Sequence, residues 1–370
     1  MLLYNPFNRL RKRLTPTSSE HFMTSIQDVA KRAGVSTATV SHIINQTRFV
    51  SDETRKKVMD AIEELDYYPS KLARGLASNK SQTIGIVFSD IANPHFTQIF
   101  KGIEEYFYSI GYDLILANTS ENPKTQEDAL ASLLSRSVDG LLVAPAGHPS
   151  KKMKFIREKG LPIVLLDRGD PETDLPMVGV NNHSAVYQAA NHLIEDHHSR
   201  IGLILGLKNI STTGERLNGY MQAIKEHGIS QDQSLIFWGD SSLDSGYRGA
   251  MELLSLSPRP SAIFCTNNLM SLGALHAMRE LGLNCPQDIG MIGFDDHFWA
   301  DIFTPPLTVI SQPTFELGRT AAQLLHQYIL EGMPEPVPQR VNLEARLIIR
   351  GSCSTNCYNR FSKKNELSIN

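Results

Sequence analysis

Cysteine is scarce in this 370-residue chain: only Cys265, Cys285, Cys353 and Cys357 are present. Four are too few to staple a chain of this length and point to a reducing compartment. Cys353 and Cys357 stand in a C-x3-C spacing with no second ligand pair beside them in the sequence. His192, His197 and His198 supply neither an H-x3-H pair nor an HExxH motif. No metal centre and no cofactor is therefore expected. Long apolar runs are missing too: nowhere do about 18 apolar residues stand together, which excludes a membrane-spanning helix. The first 22 residues carry Arg9, Arg11, Lys12 and Arg13 but no sustained apolar stretch and no small-residue cleavage site, so a secretory signal is not expected. There is no G-x4-G-K-S/T phosphate loop, no GxGxxG after a strand and no GxSxG nucleophile elbow, and no catalysis is read here. No leucine heptad follows Ser352, which leaves a tetramerising coiled coil unsupported.

What is present is an ordinary globular composition, 41% hydrophobic, in a length that suits two or three domains. The net charge of −3 conceals an asymmetry. Residues 1–80 hold 13 Lys+Arg against 8 Asp+Glu, so the other 290 must carry a net −8. A basic end on an acidic body hints at a nucleic-acid partner.

Residues 1–22 read as a flexible N-terminal extension. From Thr24 to about Leu65 the pattern gives three short helices. Ser25 and Asp28 make a capping box for the first, Gly34 ends it, Ser36 caps a second running to Asn45, and Ser51 caps a third that Pro69 stops. Two short helices around a Gly-containing turn, braced by a third, form a helix-turn-helix head over 23–69. The second helix turns Val40, Ile43 and Ile44 to the bundle. Thr37, Ala38, Ser41, His42 and Asn45 then face away, a small polar surface able to meet base edges in a major groove. The same face would also suit a helical hairpin that contacts protein. Residues 70–82 are too short and Gly-containing for a stable isolated helix.

After Ser81 short apolar runs alternate with amphipathic stretches. The expected strands are Ile84–Phe88, Asp113–Ala117, Gly140–Ala144, Ile163–Leu166 and Val178–Val180, then Ile201–Leu205, Leu235–Trp238, Ala262–Cys265, Met291–Phe294 and Thr308–Ile310. Two such series imply an α/β core of two open parallel-sheet lobes. Open sheets bind ligands beyond the carboxyl ends of their strands. Asp90, Asp167, Asn267 and Asp295 stand there, although some of them could simply cap the next helix. The end, 353–370, is expected to be a disordered tail.

The stretch SIQDVAKRAGVSTATVSHIINQTRFVSDETRKKVMDAIEELDYYPSKLARGLA resembles the DNA-binding head and hinge of the LacI/GalR (lactose-repressor) family, closest to its purine- and ribose-repressor-like members. The resemblance runs from about Thr24 to Ser352 through GIVFSDIANPHFTQIFKGIE, VDGLLVAP, GERLNGYMQAI, TNNLMSLGAL, IGMIGFDD, PPLTVISQP and LIIRGS. It implies that Thr37, Ala38 and His42 read bases and that Arg48 adds a contact. It implies that Leu76 is wedged between base steps in the minor groove, with Lys71 and Arg74 on phosphates. It also implies a periplasmic-binding-protein-like core over 83–352, with lobe 1 at about 83–180 and 311–340 and lobe 2 at about 181–310 and 341–352. Arg216 matches the family's effector-binding arginine, and Phe96 in NPHF is placed to stack on a ring. Three positions depart from the pattern. Asn267-Asn268 replaces the frequent Asn-Asp, Ser241 stands where purine-repressor relatives have an aromatic, and His197-His198 replaces Gly-His, putting His197 in a left-handed cap.

The implied protein is a cytoplasmic, homodimeric regulator, most simply a repressor. It would bind a near-palindromic double-stranded operator under control of a small effector: a sugar, sugar phosphate, nucleobase or nucleoside. The alternative is a solute-binding module without DNA function.

Overall fold

A computed structural model describes residues 24–45, 47–68, 80–147, 150–170, 173–334 and 340–366. They fall into two compact units divided after residue 79. The extension over 1–22 and the hinge positions 70–79 lie outside the described residues.

In the first unit, α1 (Ile26–Ala33) opens on the expected capping box, with Ser25 and Asp28 bonding each other's backbone N–H, and ends at Gly34 with φ of 68°. That left-handed turn suits glycine, which has no Cβ to clash. Helix α2 (Thr37–Asn45) starts where Thr39 N–H donates to Ser36 Oγ at 3.1 Å, and α3 (Asp52–Glu64) starts at the Ser51 cap. Val29, Ala30, Val40, Ile43, Val58 and Ala61 form the core, with Ile44, Ile62 and Leu65 packed around it. At roughly 1.5–3 kcal/mol per buried aliphatic side chain, so small a core depends on each one. Helix α3 ends five residues before Pro69, which was expected to stop it. The stop is Asp66 at φ of 50°, after which Tyr67 N–H reaches back to the Ile62 carbonyl at 3.0 Å.

The second unit holds two six-stranded sheets. In the first lobe, β1 (Thr83–Phe88), β2 (Asp113–Asn118), β3 (Gly140–Val143), β4 (Ile163–Leu166) and β5 (Met177–Val180) are joined by β11 (Arg340–Leu343) in the order β11-β5-β4-β3-β1-β2, all parallel. In the second, β6 (Ile201–Leu205), β7 (Ile236–Trp238), β8 (Ala262–Cys265), β9 (Gly290–Phe294) and β10 (Thr308–Ser311) are joined by β12 (Arg346–Ile348) in the order β12-β10-β9-β8-β6-β7. Only β12 runs antiparallel, against β10. The central strands β3, β4, β5, β6, β8 and β9 are buried along their whole length, which is why they read as unbroken apolar runs.

Helices cover both faces. The first lobe carries α4 (Pro94–Ser109), α5 (Pro123–Ser135) and α6 (Lys151–Glu158). The second carries α7 (Asn182–Glu195), α8 (Ser211–Glu226), α9 (Leu243–Leu254) and α10 (Asn268–Glu280). Helix α11 (Thr314–Glu331) leaves the second lobe's β10 and returns to pack on α4. Gly102 and Gly318 make that crossing close: a Cβ on either would run into the carbonyl of Phe315 or of Ile99. The chain passes between lobes three times, after β5, β10 and β11.

Three expectations need correction. Residues 341–343 belong to the first lobe's sheet through β11, not to the second lobe. Strands β11 and β12 were missed because they are short, charged edge strands that are half exposed. The segment expected to be a disordered tail over 353–370 is ordered through residue 366, as far as it is described: Thr355–Glu366 forms α12, and Cys353 and Cys357 are buried in the second lobe's core. Its polar composition hid two apolar anchors four residues apart, one helical turn. Helix α12 also has a start signal, since Cys357 N–H donates to Ser354 Oγ at 3.1 Å. His197 takes the left-handed conformation expected of it, at φ of 69°.

Candidate functional site

Two surfaces carry the expected residues. In the head, burial of Val40 and Ile43 turns the other side of α2 outward. Thr37, Ala38, Asn45 and Arg48 are exposed, while Ser41 and His42 are half-buried. His42 Nδ1 lies 2.8 Å from Thr47 Oγ1, and Asn45 Nδ2 donates to Ser41 Oγ at 3.2 Å, so two of these side chains are held in place before any partner arrives. Lys71, Arg74 and Leu76 lie outside the described residues.

In the core, a cavity of about 160 Å³ opens between the lobes, and Asp90, Phe96, Asp167, Arg216, Asn267 and Asp295 all line it. Strand ends set them there. Asp167 follows β4 at φ of 63°, Asp295 follows β9 at φ of 72°, and Asn267 follows β8. Their surroundings differ. Asp90 accepts from Ala92 N–H at 3.0 Å, and Asn267 caps α10 by accepting from Met270 N–H at 2.7 Å while donating to the Ser241 carbonyl at 2.8 Å. Phe96 is packed into the first lobe's core beside Phe88, at 5.3 Å between ring centroids, with the Arg168 guanidinium 5.7 Å over its ring. It forms cavity wall rather than a free stacking platform.

The centre of the cavity is a residue the sequence reading passed over. Asn93 caps α4 by accepting from His95 N–H at 3.0 Å, Pro94 takes the first helical position, and the His95 ring enters the cleft. Its Nε2 lies 3.2 Å from Asp167 of the same lobe, and its Nδ1 lies 3.5 Å from Asp295 of the other. Burial alone would lower its pKa. The two carboxylates outweigh that and raise it from 6.5 to about 10, so the ring is a cation near neutrality. Burial would likewise raise the two aspartates, but His95 and the nearby arginines hold both below the usual carboxylate range. Gln312 Nε2 donates to Asp295 at 2.6 Å.

Arg216, on α8, donates through Nε to Asn182 at 2.8 Å and through Nη1 to the Thr266 carbonyl at 2.5 Å, and lies 3.8 Å over the Phe294 ring. Burial pushes its pKa down from the ordinary arginine value. Arg168 makes a two-pronged bond to Glu121 at 2.7 and 2.8 Å. Glu121, Arg168 and Gln312, like His95, were not singled out from sequence. His95 stood inside the quoted NPHF motif and Arg168 directly after Asp167, but which cations and carboxylates would meet depends on both lobes. Asn268 Nδ2 donates across the cleft to Asn93 at 2.8 Å, and Gly169 N–H to Ser211 Oγ at 3.0 Å. Three buried polar atoms of residues around the cavity, His95 Nδ1, Arg168 Nε and Gln312 Oε1, make no hydrogen bond within the protein. The first two face Asp295 and Asp167 at 3.5 and 3.6 Å, in ion pairs too long for a hydrogen bond.

Comparison with known proteins finds matches to each of the two units. Residues 25–70 match the model for bacterial regulatory proteins of the lacI family, and residues 81–352 match that for periplasmic binding proteins and the sugar binding domain of the LacI family. The HTH-type transcriptional repressor PurR of Photobacterium profundum is 40% identical over 332 residues, covering 89% of this chain and 98% of that one. PurR of Escherichia coli O1:K1 is 41% identical over 89% of this chain and 97% of its own. Among solved structures, the lac repressor dimer bound to operator and an anti-inducer superposes with a TM-score of 0.81 at 28% identity, covering 90% of this chain and 99% of that one. The transcriptional regulator CelR in complex with cellobiose does so at 0.68 and 33% identity, over 89% and 99%. A helix-turn-helix head and a two-lobed α/β core, each matched in its own right, make this chain a member of the LacI family of bacterial regulatory proteins.

Proposed function

We propose that this repressor binds a near-palindromic operator as a homodimer in the bacterial cytoplasm, and that an uncharged, hydroxyl-rich small molecule in the interlobe cavity controls it. The head's outward face carries the reading. Thr37, Ala38, Ser41, His42 and Asn45 present short side chains to base edges, Arg48 adds a contact, and Lys71, Arg74 and Leu76 act on the backbone and minor groove. Two heads related by a two-fold axis suit two half-sites. The observation that carries control is His95 held between Asp167 of one lobe and Asp295 of the other. A ligand that bonds these groups changes how the lobes close, and any difference in its affinity for the two closures appears as a change in DNA affinity.

The lining favours a neutral polyol over a phosphate. Asp90, Glu121, Asp167, Asp240 and Asp295 outnumber Arg168, Arg216 and protonated His95, leaving the wall net negative. A nucleobase is the second reading, favoured by the 40–41% identity to PurR. Against it stand Ser241, where purine-repressor relatives have an aromatic, and the buried Phe96. Thermal unfolding against neutral sugars, sugar phosphates, nucleobases and nucleosides, with and without a palindromic duplex, separates the two. A ligand that binds only the folded protein raises the midpoint by mass action. The expected hit is a neutral sugar that also changes the stabilisation by duplex. A shift with purine bases and none with sugars would replace this reading by the second.

A further inference from the structure

The fold supplies what the C-x3-C pair lacks in sequence. Helix α7 ends beside the start of α12. His192, on the last turn of α7, and Asp196, its C-cap, meet Cys353 and Cys357 at one point on the second lobe. One ligand-capable atom from each lies within 4.8 Å of all the others. His192 Nε2 is 3.4 Å from Cys353 Sγ and 3.4 Å from Cys357 Sγ. Asp196 Oδ2 is 3.1 Å from Cys357 Sγ and 3.9 Å from His192 Nε2.

These separations have a specific meaning. Zinc takes sulfur at about 2.3 Å and nitrogen or oxygen at about 2.0–2.2 Å in a tetrahedron, whose edges are then roughly 3.3–3.8 Å long. Four of the six edges run from 3.1 to 3.9 Å and bracket that range, and the two remaining edges, from Cys353 to Cys357 and to Asp196, lie within 4.8 Å. Two thiols, an imidazole and a carboxylate are also the donor mixture suited to a borderline-soft divalent ion without geometric preference of its own, rather than to magnesium or calcium.

We propose that His192, Asp196, Cys353 and Cys357 form a four-coordinate site for a divalent metal of zinc's class, which clamps α12 to the end of α7. Binding forms four coordinate bonds and expels the two thiol protons to solvent. The surroundings orient the ligands as outer partners do in metal sites. Ser354 Oγ donates to Asp196 Oδ2 at 2.6 Å, Thr308 Oγ1 to Cys353 Sγ at 3.4 Å, and the His198 ring lies 3.0 Å from the Cys353 carbonyl. Both cysteines are free and buried, while His192 and Asp196 are partly open to solvent, giving the ion a way in. The sequence reading, which expected no metal, lacked this juxtaposition: His192 and Cys353 are 161 positions apart.

The test is a cobalt(II) titration of the full-length, reduced, metal-stripped protein. The expected result is thiolate-to-cobalt charge-transfer absorption together with the strong visible bands of a four-coordinate ion. Both should saturate at one equivalent per chain and vanish when zinc is added. Cys357→Ser should lose the charge-transfer absorption and His192→Gln should weaken binding, with far-ultraviolet circular dichroism confirming that each variant is folded. Zinc should also slow proteolysis at Arg360 in α12 of the wild type, read by mass spectrometry. Only the weak, octahedral cobalt spectrum in the folded wild type overturns the proposal, even if neither variant folds. An unchanged charge-transfer band in folded Cys357→Ser overturns it equally.

Discussion

The α2 surface of the head and the interlobe cleft are built on opposite plans. On α2 the outward groups are exposed or half-buried, and the ties among them are short and local: His42 to Thr47 and Asn45 to Ser41. In the cleft the groups are buried and already answer one another: His95 with two aspartates, Arg168 with Glu121, Arg216 with Asn182 and Thr266. In charge the two are alike, since both are slightly acidic. Residues 24–68 hold six Lys+Arg and seven Asp+Glu, so the basic excess of the N-terminal end sits in the flanking segments 1–23 and 69–80. The exposed positions of the head can therefore be altered with little effect on the fold. A cleft residue cannot be altered so cleanly, because it is already bonded to its neighbours, and His95 also bridges the two lobes.

The sharpest test of that contrast is Asp295→Ala. It leaves His95 and Arg216 short of a buried counter-charge, and stripping one partner from such a network costs about 3–5 kcal/mol. Chemical denaturation should show that loss, and ligand-induced shifts in melting temperature should disappear with it. A variant of wild-type stability would break the comparison.

His95→Gln comes next and reads out through pH. The folded-state pKa of His95 is raised from 6.5 to about 10, so its stabilisation is complete below pH 6.5 and fades as pH climbs to about 10. Across that window the stability gap between wild type and His95→Gln should narrow steadily. A gap that stays constant with pH would mean the ring is neutral in the fold.

The smallest effect on the fold is expected from Thr37→Ala, at an exposed position of the head. Discrimination at one base pair should drop by about 1–3 kcal/mol in operator-binding assays. Unfolding free energy should stay within about 0.5 kcal/mol of wild type, as at other surface sites. A lower midpoint without loss of operator specificity would reverse the roles assigned to the two regions.

Legibility in the sequence followed burial and locality. Strands such as Ile163–Leu166 and Ile201–Leu205 are buried along their length and announce themselves as apolar runs, and the head's three helices carry their caps in adjacent residues. Edge strands Arg340–Leu343 and Arg346–Ile348 do neither, and α12 hid its anchors among polar residues. In the cleft, the strand-end rule found Asp167 and Asp295 because it needs only one lobe's topology. His95 was missed because its contact with both Asp167 and Asp295 exists only where the two lobes meet.

Those two aspartates share one more property. Strand β4 and strand β9 occupy the same place in their respective sheets, third from the edge formed by the late-arriving strand, and each ends in an aspartate with left-handed backbone. Asp167 and Asp295 are thus counterparts under an approximate internal symmetry, the same turn made once in each half of a doubled fold. Mirrored carboxylates carry like charges and push the halves apart. A single imidazolium, contributed by one half only, turns that repulsion into a clasp. The symmetry has one odd member, and the proton on His95 works with Arg168, Arg216 and the bonds from Asn268 to Asn93 and from Gly169 to Ser211 to hold the two halves together.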